Sequence, residues 1–169
     1  GHARGTDPTP VAPRQFVICI QNHDQIGNRA DGARLNHQVD LAVFRALSAL
    51  LLLAPQTPLI FMGQEWAARS PFLFFTDFNQ ALGQKITEGR RQEFKSFAAF
   101  ADAEARQRIP DPQSAETFLS SRLDWDETLD PPHAAMRRLY TRLLACRREV
   151  DVLQQRPRGT YSVRALDDH

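Results

Sequence analysis

Two short polar clusters, each directly following an apolar run, hold most of the side chains that could do chemistry together. Asn22, His23, Asp24 and Gln25 put an imidazole, a carboxylate and two amides within four positions. Such a set can grip vicinal sugar hydroxyls, which present paired donors and acceptors. Gln64, Glu65 and Trp66 supply an amide, a carboxylate and an indole whose face could stack on the apolar side of a sugar ring. On spacing alone, a His-Asp pair at a strand end is more often a turn or a salt bridge. Glu65 by itself more often supports a site than reacts in it. Phe72, Phe74, Phe75 and Phe78 follow the second cluster and read as a loop folded back over the core.

The elements that must position these clusters follow from the apolar pattern. Residues 15–20 (Gln-Phe-Val-Ile-Cys-Ile) and 58–62 (Pro-Leu-Ile-Phe-Met) are near-continuous apolar runs, the pattern of strands covered on both faces in a parallel sheet. Between them, Asn36 is the expected cap of a helix carrying Leu41, Phe44, Leu47 and Leu51, stopped by Pro55. Asn79 should cap a further helix through Leu82, Ile86, Phe94 and Phe97, broken by residues 109–113. The last clear helix is expected over residues 133–149, after Pro131 and Pro132, with Met136, Leu139, Tyr140, Leu143 and Leu144 on one face. This order gives two β/α units. Ligands of parallel sheets and β/α barrels bind beyond the carboxyl ends of the strands, where both clusters lie. Two strands cannot make a sheet covered on both faces, so the chain should either dimerise or be a piece of a larger fold.

Composition narrows the function classes. The 169 residues carry 21 basic and 20 acidic side chains, a net charge of +1, with no block of like charges, so no nucleic-acid partner is expected. Residues 41–54 are the most apolar stretch, but Arg45 interrupts them and they fall short of the roughly 20 residues that cross a bilayer, so no membrane span is expected. Cys19 and Cys146 lack CxxC spacing, which favours a reducing compartment and a cytoplasmic location. The 5 histidines show no HxxxH spacing, and no metal site is expected. Gly1 opens the chain, and residues 1–14, with Pro8, Pro10 and Pro13, read as a loop left by truncation. Residues 161–166 alternate like a strand shortly before the end, so residues 151–169 read as a linker and the cut-short start of a C-terminal β domain.

Residues 16–25, Phe-Val-Ile-Cys-Ile-Gln-Asn-His-Asp-Gln, resemble the seventh-strand signature of the α-amylase superfamily of glycoside hydrolases, and residues 58–65, Pro-Leu-Ile-Phe-Met-Gly-Gln-Glu, its eighth strand. Within it the sequence is similar to the malto-oligosyltrehalose trehalohydrolase family. That likeness rests on Gln25 to Arg29, Pro71 to Phe78, Gly89 to Phe94, Pro110-Asp111-Pro112, Thr117-Phe118 and Leu123-Asp124-Trp125. Phe78 stands where His is expected in that family.

The resemblance implies an α/β fold that is a fragment of a (β/α)8 TIM barrel, with residues 15–150 forming the last two β/α units. It also implies a retaining glycosidase that works through a carboxylate nucleophile and a carboxylic acid about 5 Å apart. Both would lie upstream, at the ends of strands four and five, in a missing N-terminal part of the same enzyme, so this chain alone should be inactive. Asp24 would be the third carboxylate, the transition-state stabiliser, holding the 2- and 3-hydroxyls of the sugar at the cleavage point. Substrate binding would fall to His23, Gln25, Asn22, Arg29, Glu65 and Trp66, the substrate being a maltooligosaccharide or maltooligosyltrehalose. No cofactor is implied. A glycogen branching enzyme and a non-catalytic carbohydrate-binding fragment are the rival readings.

Overall fold

A computed structural model describes residues 5–154 and Arg164. Val17–Ile18 (β1) and Thr57–Pro58 (β2) pair in parallel, with Val17 opposite Thr57 and Ile18 opposite Pro58. Thr57 N–H donates to Phe16 O at 2.9 Å and Leu59 N–H to Ile18 O at 2.8 Å. The ladder is thus much shorter than the two apolar runs. Pro58 has no N–H to give, and among the described residues neither strand has a second neighbour to extend pairing. Val17, expected to be covered on both faces, is 63% exposed for the same reason.

Between the strands lie α1 (His23–Gly27) and α2 (Leu41–Leu53). Asp40, not Asn36, caps α2, its Oδ1 accepting from Val43 N–H at 2.8 Å. Asn36 sits in a 3-10 turn, Leu35–His37, and its amide donates instead to the carbonyls of Ala67 and Ala68. A tertiary bond therefore takes the side chain that local pattern assigned to a cap. Helix α2 stops one residue before Ala54-Pro55, because the residue before proline is pushed out of helical geometry.

After β2, Asn79 does cap α3 (Gln80–Glu93), accepting from Leu82 N–H at 3.1 Å. This helix ends sooner than expected. Phe94 leaves it to stack with Phe97 and Phe100, ring centroids 5.6 and 5.4 Å apart, and 3-10 turns replace the last helical turns. Two short helices, α4 (Ala103–Gln107) and α5 (Ala115–Ser120), precede α6 (Pro131–Glu149). Helix α6 starts on the prolines themselves, which fit a first turn that needs no N–H partner.

The core lies where α2 meets α6. Phe44, Leu52, Met136 and Tyr140 are buried there, with Ile20, Leu35, Ile60, Leu139 and Leu143 packed around them. Leu144, assigned to the same face, is 37% exposed. A short helix, α7 (Asp151–Gln154), stands where a linker is expected. The strand expected at residues 161–166 falls, apart from Arg164, outside the described residues. No helix among them is long and apolar enough to cross a membrane.

Candidate active site

The segment after β1 turns at once into α1. Asn22 caps it: its Oδ1 accepts from the N–H of Asp24 at 2.7 Å and of Gln25 at 3.4 Å. Gln25 returns the contact, its Oε1 accepting from Asn22 N–H at 2.7 Å, so a capping box closes the turn. These two amides shape the backbone and are already engaged, whereas the two residues they enclose are free to meet a ligand. His23 Nε2 and Asp24 Oδ1 lie 3.2 Å apart, with both side chains about 70% exposed (71% and 69%). Together with Gly27 and Asn28 they form one wall of a cleft of ≈ 280 Å³, and Phe72, Leu73, Phe74 and Phe75 form the other. The His-Asp pair and the phenylalanine loop thus meet in space. Arg29 is elsewhere: its guanidinium donates to Ala33 O at 2.5 Å and closes the loop behind α1.

The segment after β2 is built in the opposite sense. Gly63, with φ of +82°, and Ala67, with φ of +57°, bracket the 3-10 turn Gln64–Trp66. A Cβ at Gly63 would sit 2.7 Å from Leu123 and 2.8 Å from Ala68, so only glycine fits. Gln64 is fully buried and donates to the Tyr140 hydroxyl at 2.8 Å. Tyr140 donates on to Ser48 at 3.0 Å, and Ser48 to Phe44 O at 2.8 Å. Burial raises the Tyr140 pKa despite these two hydroxyl and amide contacts.

Trp66 corrects the reading of its indole as a sugar platform. It is 2% exposed, its Nε1–H donates to Glu127 at 2.8 Å, and Trp125 covers it at 4.9 Å between ring centroids. Its carbonyl accepts from His133 Nδ1 at 2.8 Å. Glu65 is half-buried, and its Oε2 is buried without a hydrogen-bond partner among the described residues.

Three buried charges, none of them among the site residues expected from the sequence, hold this arrangement. Arg34 is wholly buried and donates to Ser70 O at 2.6 Å and Met62 O at 2.8 Å, its Cζ 5.4 Å from the centroid of the Phe61 ring. Burial lowers its pKa to about 10, partly offset by Glu127 and Glu65, so it stays charged at neutral pH. Glu127 receives both the Trp66 indole and the Arg69 N–H. Arg90 reaches from α3 to the carbonyls of Gly27 and Arg29. Among the described residues no group of three or more His, Cys, Asp or Glu side chains could hold a metal ion.

No protein-family model matches the chain. It is 49% identical over 160 residues, 93% of its length, to the malto-oligosyltrehalose trehalohydrolase of Deinococcus radiodurans, and 43% identical over 152 residues, 89% of its length, to that of Arthrobacter ramosus. The one from Saccharolobus solfataricus is 38% identical over 82% of the chain. These matches take up 26%, 25% and 23% of the relatives, so the chain spans about a quarter of their length. A crystal structure from Salmonella typhimurium, provisionally described as an alpha amylase, superposes with a TM-score of 0.78 at 40% identity, covering 87% of this chain and 24% of that one. By sequence, the chain is a homologue of the malto-oligosyltrehalose trehalohydrolases over about a quarter of their length, and its fold is that of the matching quarter of the Salmonella structure.

Proposed function

We propose that this chain supplies the last two β/α units of a (β/α)8 catalytic barrel, strands seven and eight with residues 15–150, in an enzyme that hydrolyses the α-1,4 bond next to the terminal trehalose of maltooligosyltrehalose. The product would be trehalose, made in the cytoplasm as a biosynthetic step. The observation that carries this reading is the exposed Asp24 carboxylate, whose one ion-pair partner among the described residues is His23, facing an aromatic wall across a narrow cleft. The names of the relatives supply the reaction. They do not favour the branching-enzyme or non-catalytic readings.

In this mechanism the nucleophile and the acid come from the part of the enzyme that precedes these residues. Asp24 accepts hydrogen bonds from the 2- and 3-hydroxyls, and these tighten as the ring flattens and positive charge grows at the anomeric carbon. His23 donates to the same sugar. Gln25 and Asn22 act indirectly, by fixing the turn that presents the pair. The test is Asp24→Asn in the intact enzyme, assayed by trehalose release in single turnovers. The loss should fall on kcat more than on KM and amount to roughly 10²- to 10³-fold. A folded variant within about threefold of wild type would remove Asp24 from the reaction.

A further inference from the structure

Arg90 lies outside the cleft, on α3, yet it touches both of its walls. It is 6% exposed, and one amino group of its guanidinium donates to Gly27 O at 2.7 Å and to Arg29 O at 3.0 Å. Gly27 ends α1, so its carbonyl is one that a helix leaves without an internal partner. The planar cation is held between two rings, with centroids 5.1 Å away at Phe74 and 4.7 Å away at Phe94, and Glu93 pairs with it at 3.1 Å. Phe74 lines the cleft opposite Asp24. The loop that joins the walls is tied to the same point: Gly32 N–H donates to Arg29 O at 3.2 Å, and Phe72 N–H to Gly32 O at 2.9 Å. Helix α1 has only 5 residues and cannot hold its own orientation by internal bonding.

We infer that Arg90 is a positioning residue for the reaction proposed above, fixing the His23-Asp24 pair at a set distance from the aromatic wall by binding the tail of α1 and the Phe74 ring with one side chain. The inference rests on that proposed reaction for its catalytic readout but not for its geometric one. Lysine would keep the charge but has a single compact ammonium, which cannot bind the carbonyls and stay flat between two rings.

The test compares Arg90→Met and Arg90→Lys in the intact enzyme, with Met136→Ala as a variant destabilised in the distant α2–α6 core. Arg90→Met should lose about 100-fold in kcat with KM within about threefold, as a displaced reacting group does, and Arg90→Lys should fall between it and wild type. A kcat loss in Arg90→Met no larger than that of Met136→Ala at matched loss of melting temperature would overturn the inference. Amide hydrogen exchange gives the second readout. The Ile26 and Asn28 amides, bonded within α1, should exchange faster in both Arg90 variants while α6 amides are unchanged; equal protection in α1 would overturn the inference. If wild-type enzyme fails to cleave maltooligosyltrehalose, the proposed reaction fails and exchange alone decides the role of Arg90. If Arg90→Met does not fold, exchange in Arg90→Lys decides it by the same outcomes.

Discussion

The ends of the two strands carry similar residue types and put them to opposite uses. After β1, the amides of Asn22 and Gln25 bind the local backbone and leave an imidazole and a carboxylate in the open. After β2, the amide and the indole turn inward, Gln64 to Tyr140 and Trp66 to Glu127, and only Glu65 keeps partial exposure. The difference comes from what packs above each end. Helix α6 and the turn Asp126–Leu129 lie over the second and cover it, whereas the His23-Asp24 side chains of the first stay exposed and face the phenylalanine loop across a cleft. A polar cluster at a strand end therefore marks an address, and the elements that arrive later in the chain decide whether it serves binding or cohesion.

The sharpest way to break this comparison is to remove the indole. Trp66→Ala should cost about 3 to 5 kcal/mol of stability, the range for deleting a large buried aromatic side chain, and a denaturation midpoint near wild type would return Trp66 to the list of ligand platforms. Next comes the contrast between the two carboxylates. Glu65→Gln should lower kcat of the intact enzyme much less than the 10²- to 10³-fold expected of Asp24→Asn, because Glu65 is half-buried within its 3-10 turn. Equal losses in single-turnover assays would make both strand ends catalytic.

Tyr140→Phe is a milder test of cohesion at the second end. It strands the buried Gln64 amide and removes the donor to Ser48, which should cost about 1 to 3 kcal/mol by denaturant titration. A smaller effect still is expected at Asp111, which braces the far side of the phenylalanine loop. The Thr87 hydroxyl, at 2.7 Å, is the main cause that holds its carboxyl below the ordinary 3.8, and the Gln113 N–H adds to it. A carboxyl lowered in this way contributes stability that is complete above about pH 4 and is lost as pH falls through its folded value. Thr87→Val should therefore lower the melting temperature slightly at pH 6, and the gap should narrow as the pH falls below 3.8. A gap that widens in acid would reverse the sign.

The sequence made some of this legible because the signals are local. Asn79 caps α3, Pro55 marks the stop of α2 and Pro131 opens α6, each through a backbone rule that needs no distant partner. Strand lengths were not legible, since pairing depends on neighbours that an apolar run does not name. Arg34 and Glu127 were hidden for a related reason, and Arg90, although it lies in the Gly89–Phe94 segment, carried no sign there of its burial. A charged residue among others reads as surface, and only its tertiary partners, carbonyls and indoles dozens of residues away, make burial affordable. The exposed His23-Asp24 pair stood out in the sequence, but the capping roles of its neighbours Asn22 and Gln25 required the turn geometry.

Arg147, near the end of α6, donates to the carbonyls of Leu52 at 2.8 Å, Ala54 at 2.5 Å and Gln56 at 2.6 Å. Its grip spans the whole connection between α2 and β2, so that connection behaves as a gauge and not as slack. One residue added there would have to pass into β2 and slide Thr57 off Val17, which turns the side chains of that strand to the opposite face. Related chains should therefore keep the length of this link while they lengthen or shorten freely in exposed turns such as the one around Ala98–Phe100. A single arginine would then be what conserves a distance along the chain, with the identities of the spanned residues left open to drift.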